Sequence, residues 1–157
     1  MIKSWMVIAA VGLLIALGSN LFTPSDVKWF KRLQRPQWLT FEFAIPLIWT
    51  FIFICGGWSA YIVWEKDPGT AKTWWLMAFY ILVEIAIVAY TPVMFRLRSL
   101  KVGTIIGAIG SILGVILAIT VWTVSGWAAL LLLPYAIWSP IGTYTTWEMI
   151  RLNPQDE

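Results

Sequence analysis

Uninterrupted apolar runs are the feature that most constrains this chain. Five stretches of about 18 to 22 residues carry almost no charge, and such a stretch is long enough to cross roughly 30 Å of hydrocarbon. A soluble domain of 157 residues has shorter, periodic apolar stripes, and it cannot hide a composition that is 60% hydrophobic and only 12% charged. The sequence therefore predicts an integral membrane protein.

The order of the runs predicts an all-α membrane protein, a single domain over residues 1–157 that forms a bundle of five transmembrane helices. A cleaved signal peptide is the alternative interpretation of the first run, but four further spans follow it, so a retained helix is simpler. Residues 23–41 are the longest polar segment and are expected to form an interfacial loop. The predicted spans cover about residues 5–22, 43–64, 74–95, 102–122 and 127–150.

Lysine and arginine are unevenly divided between the two sides of this predicted bundle. Eight of the 11 lie on the side of the first loop, the third connection and the C-terminus, which leaves three on the other side. The positive-inside rule then puts the N-terminus outside and the C-terminus in the cytoplasm, as in a bacterial-type cell membrane. Because the basic residues flank apolar runs instead of following one face, we expect no nucleic-acid partner.

The residue types that are missing limit the chemistry. The chain has no histidine, which is the commonest general base and a common haem or metal ligand. Its one cysteine, Cys55, lies in an apolar run and excludes an intrachain disulfide. No phosphate loop, metal-ligand cluster or Ser-His-acid set is present. These absences favour binding over acid–base catalysis, and no catalytic or metal site is predicted.

Twelve tryptophans are the most unusual part of the composition. An aromatic belt at the two membrane interfaces explains those near span ends, namely Trp5, Trp29, Trp38, Trp64, Trp74, Trp75, Trp122 and Trp127. Trp49, Trp58 and Trp138 lie well inside spans, where an indole N–H needs a partner. We predict that these three line an interior cavity or pack between helices.

Two spans carry aromatic stripes at helical spacing, with small residues beside the rings. The stripes are Trp49, Phe53, Gly56 and Ala60 in the second span, and Tyr135, Trp138, Gly142 and Thr145 in the fifth. Ordinary helix packing explains either stripe alone. Two such stripes together predict a slot for a large, flat, hydrophobic ligand.

Two glutamates lie within predicted spans. Glu84 is in the middle of the third span, where an ionisable group usually faces the bundle interior and is functional or paired. A neutral, hydrogen-bonded structural carboxylic acid is the alternative. Glu148 precedes Arg151 by three residues, so a local ion pair is expected there.

Glycines and prolines predict how the helices pack. The fourth span has a face of four glycines that allows close approach of another helix, belonging either to the same bundle or to a second subunit. Prolines within the second, third and fifth spans are expected to kink them and widen a cavity. The glycines are Gly103, Gly107, Gly110 and Gly114, and the prolines are Pro46, Pro92, Pro134 and Pro140.

Several segments match a known pattern in order and spacing. WFKRLQRPQW, from Trp29 to Trp38, fits the signature W-x-x-x-L-x-[KR]-P-x-W. The segments AYIVW at 60–64, YTPVMF at 90–95, LLPYAIW at 132–138 and RLN at 151–153 agree with it as well. On these matches the sequence resembles the tryptophan-rich sensory protein/translocator protein (TspO/MBR) family over essentially its whole length.

The resemblance implies a five-helix bundle, commonly a homodimer, that binds tetrapyrroles, with sterols and benzodiazepine-type drugs as ligands of some members. It implies no obligatory cofactor, and haem, protoporphyrin IX or a bilin as ligand. Where the family often has Asn and Trp in the third span, this chain has Ile87 and Tyr90, which puts the drug-like ligands in doubt. With the residue analysis it predicts a ligand site of Trp29, Arg32, Arg35, Trp38, Trp49, Phe53, Glu84, Ile87, Tyr90, Tyr135, Trp138 and Gly142.

Within that site, the loop tryptophans are expected to cap the ligand, and Arg32 and Arg35 to meet the propionates of a tetrapyrrole. The main functional hypothesis is a membrane sensor, regulator or carrier of tetrapyrroles. One alternative, also implied by the resemblance, is light-dependent or oxidative porphyrin degradation. A second alternative is a transporter of porphyrins or sterols in which Glu84 is the coupling group.

Overall fold

The computed structural model describes residues 1–157 and is built of helices, with no β-strand. Short 3-10 turns at Gly18–Asn20, Glu42–Ala44 and Pro154–Asp156 connect or end the longer helices. This confirms the predicted all-α fold class. The six α-helices are α1 Ser4–Leu17, α2 Pro24–Arg32, α3 Ile45–Lys66, α4 Ala71–Leu97, α5 Leu100–Trp122 and α6 Gly126–Leu152.

Helix length and apolarity identify the candidate membrane spans. The helices α3, α4 and α5 each satisfy both criteria, and α1 together with α2 makes a fourth candidate that is bent by 72°. The helix α6 has 27 residues, but its prolines and hydroxyl side chains make it less apolar than the other three long helices. These criteria support three to four spans, and the predicted count of five goes beyond them.

Part of the predicted interfacial loop is the short helix α2. Its start is fixed by a capping box, in which Thr23 Oγ1 accepts from the Asp26 N–H at 3.4 Å and Asp26 Oδ2 accepts from the Thr23 N–H at 2.8 Å. Pro24 occupies the first turn, where its missing N–H costs nothing. The hydrogen bonds from Thr23, with Arg98 3.8 Å away, lower the pKa of Asp26.

The glycine face of α5 packs inside the same bundle. A Cβ atom on Gly103 would overlap Met94 of α4, and one on Gly114 would overlap the ring of Tyr135 on α6. A Cβ atom on Gly107 would also overlap Thr143 of α6, at 2.6 Å from its Oγ1. The helices that approach the glycine face are therefore α4 and α6. Of the two alternatives left open by the sequence, the partner is a helix of the same bundle and not of a second subunit.

The prolines occupy two kinds of position. Pro92 lies inside α4, and Pro134 and Pro140 lie inside α6, as the sequence predicted. Pro46 instead lies in the first turn of α3, so the predicted kink at this residue is wrong. The backbone N–H groups of a first turn have no helical carbonyl to bond, so the missing N–H of proline breaks no hydrogen bond there.

Candidate ligand-binding cavities

Two large cavities occupy opposite halves of the bundle. The loop-side cavity, of about 570 Å³, lies between segment 35–46, the beginning of α3 and the C-terminal halves of α4 and α6. The α1-side cavity, of about 1140 Å³, lies between α1, the rest of α3 and the N-terminal half of α4. Phe53, Ile87 and Tyr135 line both cavities and form the wall between them.

Aromatic rings from α3 and α6 meet in the lining of the loop-side cavity. Trp49 lies 6.3 Å from Tyr135 and 6.2 Å from Phe53, measured between ring centroids. Phe41, from the segment before α3, lies 6.3 Å from Trp138. The structure thus brings together the aromatic residues of the two stripes found in the sequence. Beside them, a Cβ atom on Gly142 would meet no atom within 4 Å, so open space adjoins the rings.

A single guanidinium group lies at the mouth of the loop-side cavity. Arg35 Nε donates to Glu42 Oε1 at 3.2 Å, and Nη1 donates to the carbonyls of Phe30 at 2.9 Å and Leu33 at 2.6 Å. The group also stacks on the ring of Phe30, 4.3 Å from its centroid. Since Nη2 makes no hydrogen bond within the protein, two donors remain for an anionic ligand.

Hydroxyl groups of α4 and α6 form a polar strip in the lining of this cavity. The hydroxyls of Tyr90 and Thr146 are hydrogen-bonded, and Ser139 is 2.8 Å from Ser111 of α5. Thr143 donates to the Ser139 carbonyl at 2.9 Å. These groups are satisfied inside the bundle, so the strip adds polarity to the wall without an unpaired buried group.

Trp29 and Arg32 lie outside both cavities, although the sequence placed them at the ligand. Trp29 is only 3% exposed, and its indole N–H donates to Asp156 Oδ1 at 2.7 Å. Arg32 donates to the same oxygen at 2.7 Å, with 65% of its side chain exposed. Both residues attach α2 to the C-terminal segment, and Trp29 is not part of an interfacial belt.

Two further contacts attach the loop after α2 to the end of α6. The Trp38 indole N–H donates to Glu148 Oε2 at 2.7 Å. Trp38 also lies outside both cavities, with its ring centroid 6.4 Å from that of Phe41. The Gln34 N–H donates to Asn153 Oδ1 at 2.8 Å, and Asn153 Nδ2 returns a bond to the Gln34 carbonyl at 3.0 Å. We call the contacts of Trp29, Arg32, Gln34 and Trp38 with Glu148, Asn153 and Asp156 the clasp.

The clasp corrects one predicted ion pair. Glu148 bonds Trp38 and makes no salt bridge with Arg151, which lies 4.3 Å from the ring centroid of Trp147. The ion pair expected from helical spacing is thus replaced by a hydrogen bond to the loop. The loop is therefore a lid over the loop-side cavity, and the clasp attaches this lid to the C-terminal end of α6.

The α1-side cavity contains Glu84 as its only charged residue. Glu84 forms no salt bridge and no hydrogen bond, and a Cβ atom built on Gly12 of α1 would lie 3.6 Å from its Oε1. Trp58 lines this cavity, which is one of the two positions predicted for it, and is 59% exposed. It lies at the edge of the cavity, on the surface that a bilayer covers.

Comparison with known proteins identifies the family of this chain. The TspO/MBR family model matches residues 6–152, nearly the whole chain. The chain belongs to the TspO/MBR family. The resemblance found in the sequence is thereby confirmed, and a TspO/MBR protein with several apolar helices of spanning length is an integral, multi-pass membrane protein.

Relatives of this TspO/MBR protein come from distant organisms. It is 28% identical over 138 residues to the tryptophan-rich protein TspO of Bacillus cereus, which covers 86% of this chain and 87% of the relative. It is 27% identical over 149 residues to the tryptophan-rich sensory protein of Cereibacter sphaeroides, with 93% and 88% covered. Identity to the human translocator protein is 27% over 137 residues, with 83% and 80% covered.

Eight of the 12 predicted site residues of this TspO/MBR protein come together around the loop-side cavity, and Glu84 lies in the α1-side cavity. Sequence reasoning missed Phe41, which covers Trp138, and the hydroxyl strip of α6. The helical spacing of Ser139, Thr143 and Thr146 is the signal that predicts the strip. The eight residues are Arg35, Trp49, Phe53, Ile87, Tyr90, Tyr135, Trp138 and Gly142.

Proposed function

We propose that this protein binds a tetrapyrrole, such as haem, protoporphyrin IX or a bilin, in the loop-side cavity and acts as a sensor, regulator or carrier of it. The proposal rests on one observation, a cavity that is lined by aromatic rings from α3 and α6 and has a single guanidinium group at its mouth. A tetrapyrrole has the matching chemistry, because it is flat, apolar on both faces and anionic at its propionates.

The size and walls of the cavity support this ligand class. A volume of about 570 Å³ falls within the roughly 300–1,000 Å³ of ordinary ligand pockets. The rings of Trp49, Tyr135 and Trp138 offer surfaces for stacking, which adds to the energy of simple burial. A flexible ligand would gain less from such flat walls than a rigid macrocycle does.

Arg35 is the proposed partner of a propionate. Two backbone carbonyls and the Phe30 ring fix the Arg35 side chain, so little conformational entropy is lost when a ligand binds it. A charge-assisted bond from Nη2 to a carboxylate would be stronger than a neutral one. Arg32 is engaged by Asp156 on the outside of the lid, and its role in binding is to hold the lid.

Ligand binding in this proposal does not depend on iron. No histidine is available, and the Tyr90 hydroxyl on the cavity wall is already bonded to Thr146. Stacking and the Arg35 contact act on the macrocycle and its propionates. The proposal therefore covers metal-free porphyrin and bilin as well as haem.

The fold proposed for this function is the five-span bundle, with α1 and α6 also crossing the membrane. With 27 residues at about 1.5 Å each, α6 exceeds the roughly 30 Å of hydrocarbon. We place the clasp and C-terminus in the cytoplasm by the positive-inside rule. A homodimer is part of the proposal too, and it would use a face other than the glycine face of α5, which is occupied by α4 and α6.

The sharpest test fills the cavity without removing any contact. A Cβ atom on Gly142 or on Gly57 meets nothing within 4 Å, but Gly142 lines the loop-side cavity and Gly57 lines the α1-side cavity. Gly142→Leu should weaken protoporphyrin IX binding by about tenfold or more, because each tenfold needs only about 1.4 kcal/mol of lost contact. Gly57→Leu, the matched control, should bind like the parent protein.

The measurement is titration of the purified protein in nanodiscs, followed through the porphyrin Soret absorbance. Thermal unfolding of both variants shows that each is folded. Equal porphyrin affinity of Gly142→Leu and the parent protein would exclude the loop-side cavity as the site.

A further inference from the structure

The α1-side cavity has a chemistry of its own. Its lining is mostly apolar and aromatic, with no lysine, arginine or aspartate, and Glu84 is its only carboxyl group. The loop-side cavity, by contrast, has the ion pair of Arg35 and Glu42 at its mouth, with Nη2 of Arg35 left without a hydrogen bond. The two cavities therefore differ in the charged groups that they offer a ligand.

The Glu84 carboxyl group has no partner within the protein. It forms no salt bridge or hydrogen bond, and it faces Gly12, which has no side chain to offer one. Carboxyl groups at this depth are costly and are normally paired or functional. A cationic or hydrogen-bond-donating ligand in the cavity would supply the partner that the chain does not.

Aromatic rings on the walls also suit a cation. Trp58, Tyr61 and Trp64 of α3 line the cavity, and Trp64 meets Trp74 of α4 edge to face at 4.9 Å between centroids. The negative faces of such rings attract ammonium groups, more strongly where water is excluded. No basic side chain of the protein competes for these faces within the cavity.

The cavity is reached from the side. At its end, Ser4 Oγ donates to Glu65 Oε1 at 2.5 Å and ties α1 to the C-terminal turns of α3. Along its length, α1 contains no buried residue, and Ile54 and Trp58 on the cavity edge are largely exposed. The opening therefore faces the surface covered by lipid, which favours a ligand that partitions into the bilayer.

We infer that the α1-side cavity is a second binding site, for a lipophilic amine whose ammonium group is held by the Glu84 carboxylate and whose apolar body packs on Trp58 and Tyr61. The inference does not rest on the tetrapyrrole function, since the two cavities differ in lining and in charge. The shared wall of Phe53, Ile87 and Tyr135 keeps the two ligands apart.

A matched pair of probes tests this inference. 1-Pyrenemethylamine is protonated at neutral pH and accepts excitation energy from tryptophan, and 1-pyrenemethanol has the same apolar body without the charge. In nanodiscs, the amine should give saturable energy transfer that an excess of non-fluorescent benzylamine-type competitor removes. The alcohol should bind more weakly.

Three variants give the decisive outcomes. Glu84→Gln should weaken the amine by about tenfold, as expected for a lost charge-assisted contact, and leave the alcohol unchanged. Gly57→Leu should weaken both probes, because it fills the cavity. Gly142→Leu should weaken neither, because it fills the other cavity.

Equal amine affinity in Glu84→Gln and the parent protein would overturn the inference, as would loss of amine binding in Gly142→Leu. Thermal unfolding of each variant excludes misfolding as the cause of lost binding. Porphyrin titration of the same samples reports separately on the proposed function, so one proposal can fail without the other.

Discussion

The two cavities of this TspO/MBR protein differ in how they are closed and in what charge they present. The loop-side cavity is covered by a lid that the clasp holds, and its one cationic group is Arg35, which is paired with Glu42. The α1-side cavity is covered by a helix without buried residues, and its one charged group is Glu84. On the two proposals, one small bundle would hold an anionic ligand under the lid and a cationic ligand beside α1.

The largest effect is expected from removing the cation of the loop-side cavity. Arg35→Gln should weaken protoporphyrin IX by about tenfold or more, since a charge-assisted bond and part of the lid are lost together. The dimethyl ester of the same porphyrin separates these two causes, because it has no carboxylate to bind Arg35. Soret titration checks both ligands, and an equal loss for acid and ester would show that Arg35 acts only on the lid.

A smaller effect is expected from loosening the clasp. Asn153→Ala removes both bonds to the Gln34 backbone, and the lid should then open more often. The dissociation rate of porphyrin should rise about fivefold with little change in its association rate, because most affinity changes within one site appear in dissociation. Stopped-flow displacement checks this. Amine dissociation from the α1-side cavity should not change, and an equal rise there would argue that the clasp stabilises the whole bundle.

The smallest effect concerns pH at the start of α2. The folded-state pKa of Asp26 is lowered, chiefly by the hydrogen bonds from Thr23 and then by Arg98. Its carboxylate therefore stabilises the fold above the unfolded pKa of about 3.9, and this contribution is lost as pH falls through the lower folded value. Asp26→Asn should unfold at a lower temperature than the parent protein at pH 6, and the difference should narrow toward pH 3. A difference that stays constant with pH would contradict this origin.

Much of the loop-side cavity was predictable because it depends on local periodicity. Trp49 and Phe53 are four residues apart, and Tyr135 and Trp138 are three apart, so each pair shares a helix face whatever the tertiary fold. The all-α class followed from apolar length in the same way. These features need no knowledge of which helix lies beside which.

What could not be predicted depends on contacts between distant residues. The sequence shows Trp29 as one more tryptophan near a span end, yet its partner Asp156 is 127 positions away. For the same reason Glu148 was assigned to Arg151, its neighbour on the helix, and not to Trp38 in the loop. The glycine face of α5 predicted close packing but not its partner, because spacing alone cannot distinguish an internal helix from a second subunit.

The position of Gly114 limits how this protein can change over evolution. Any larger side chain there would displace the ring of Tyr135, and that ring borders both cavities. A mutation at this site would therefore alter both ligand sites in one step. Gly57 and Gly142 each have free space beside them and border one cavity only. Substitutions at those two positions can thus change one cavity at a time. A substitution at position 114 would change both cavities, which restricts that position to glycine.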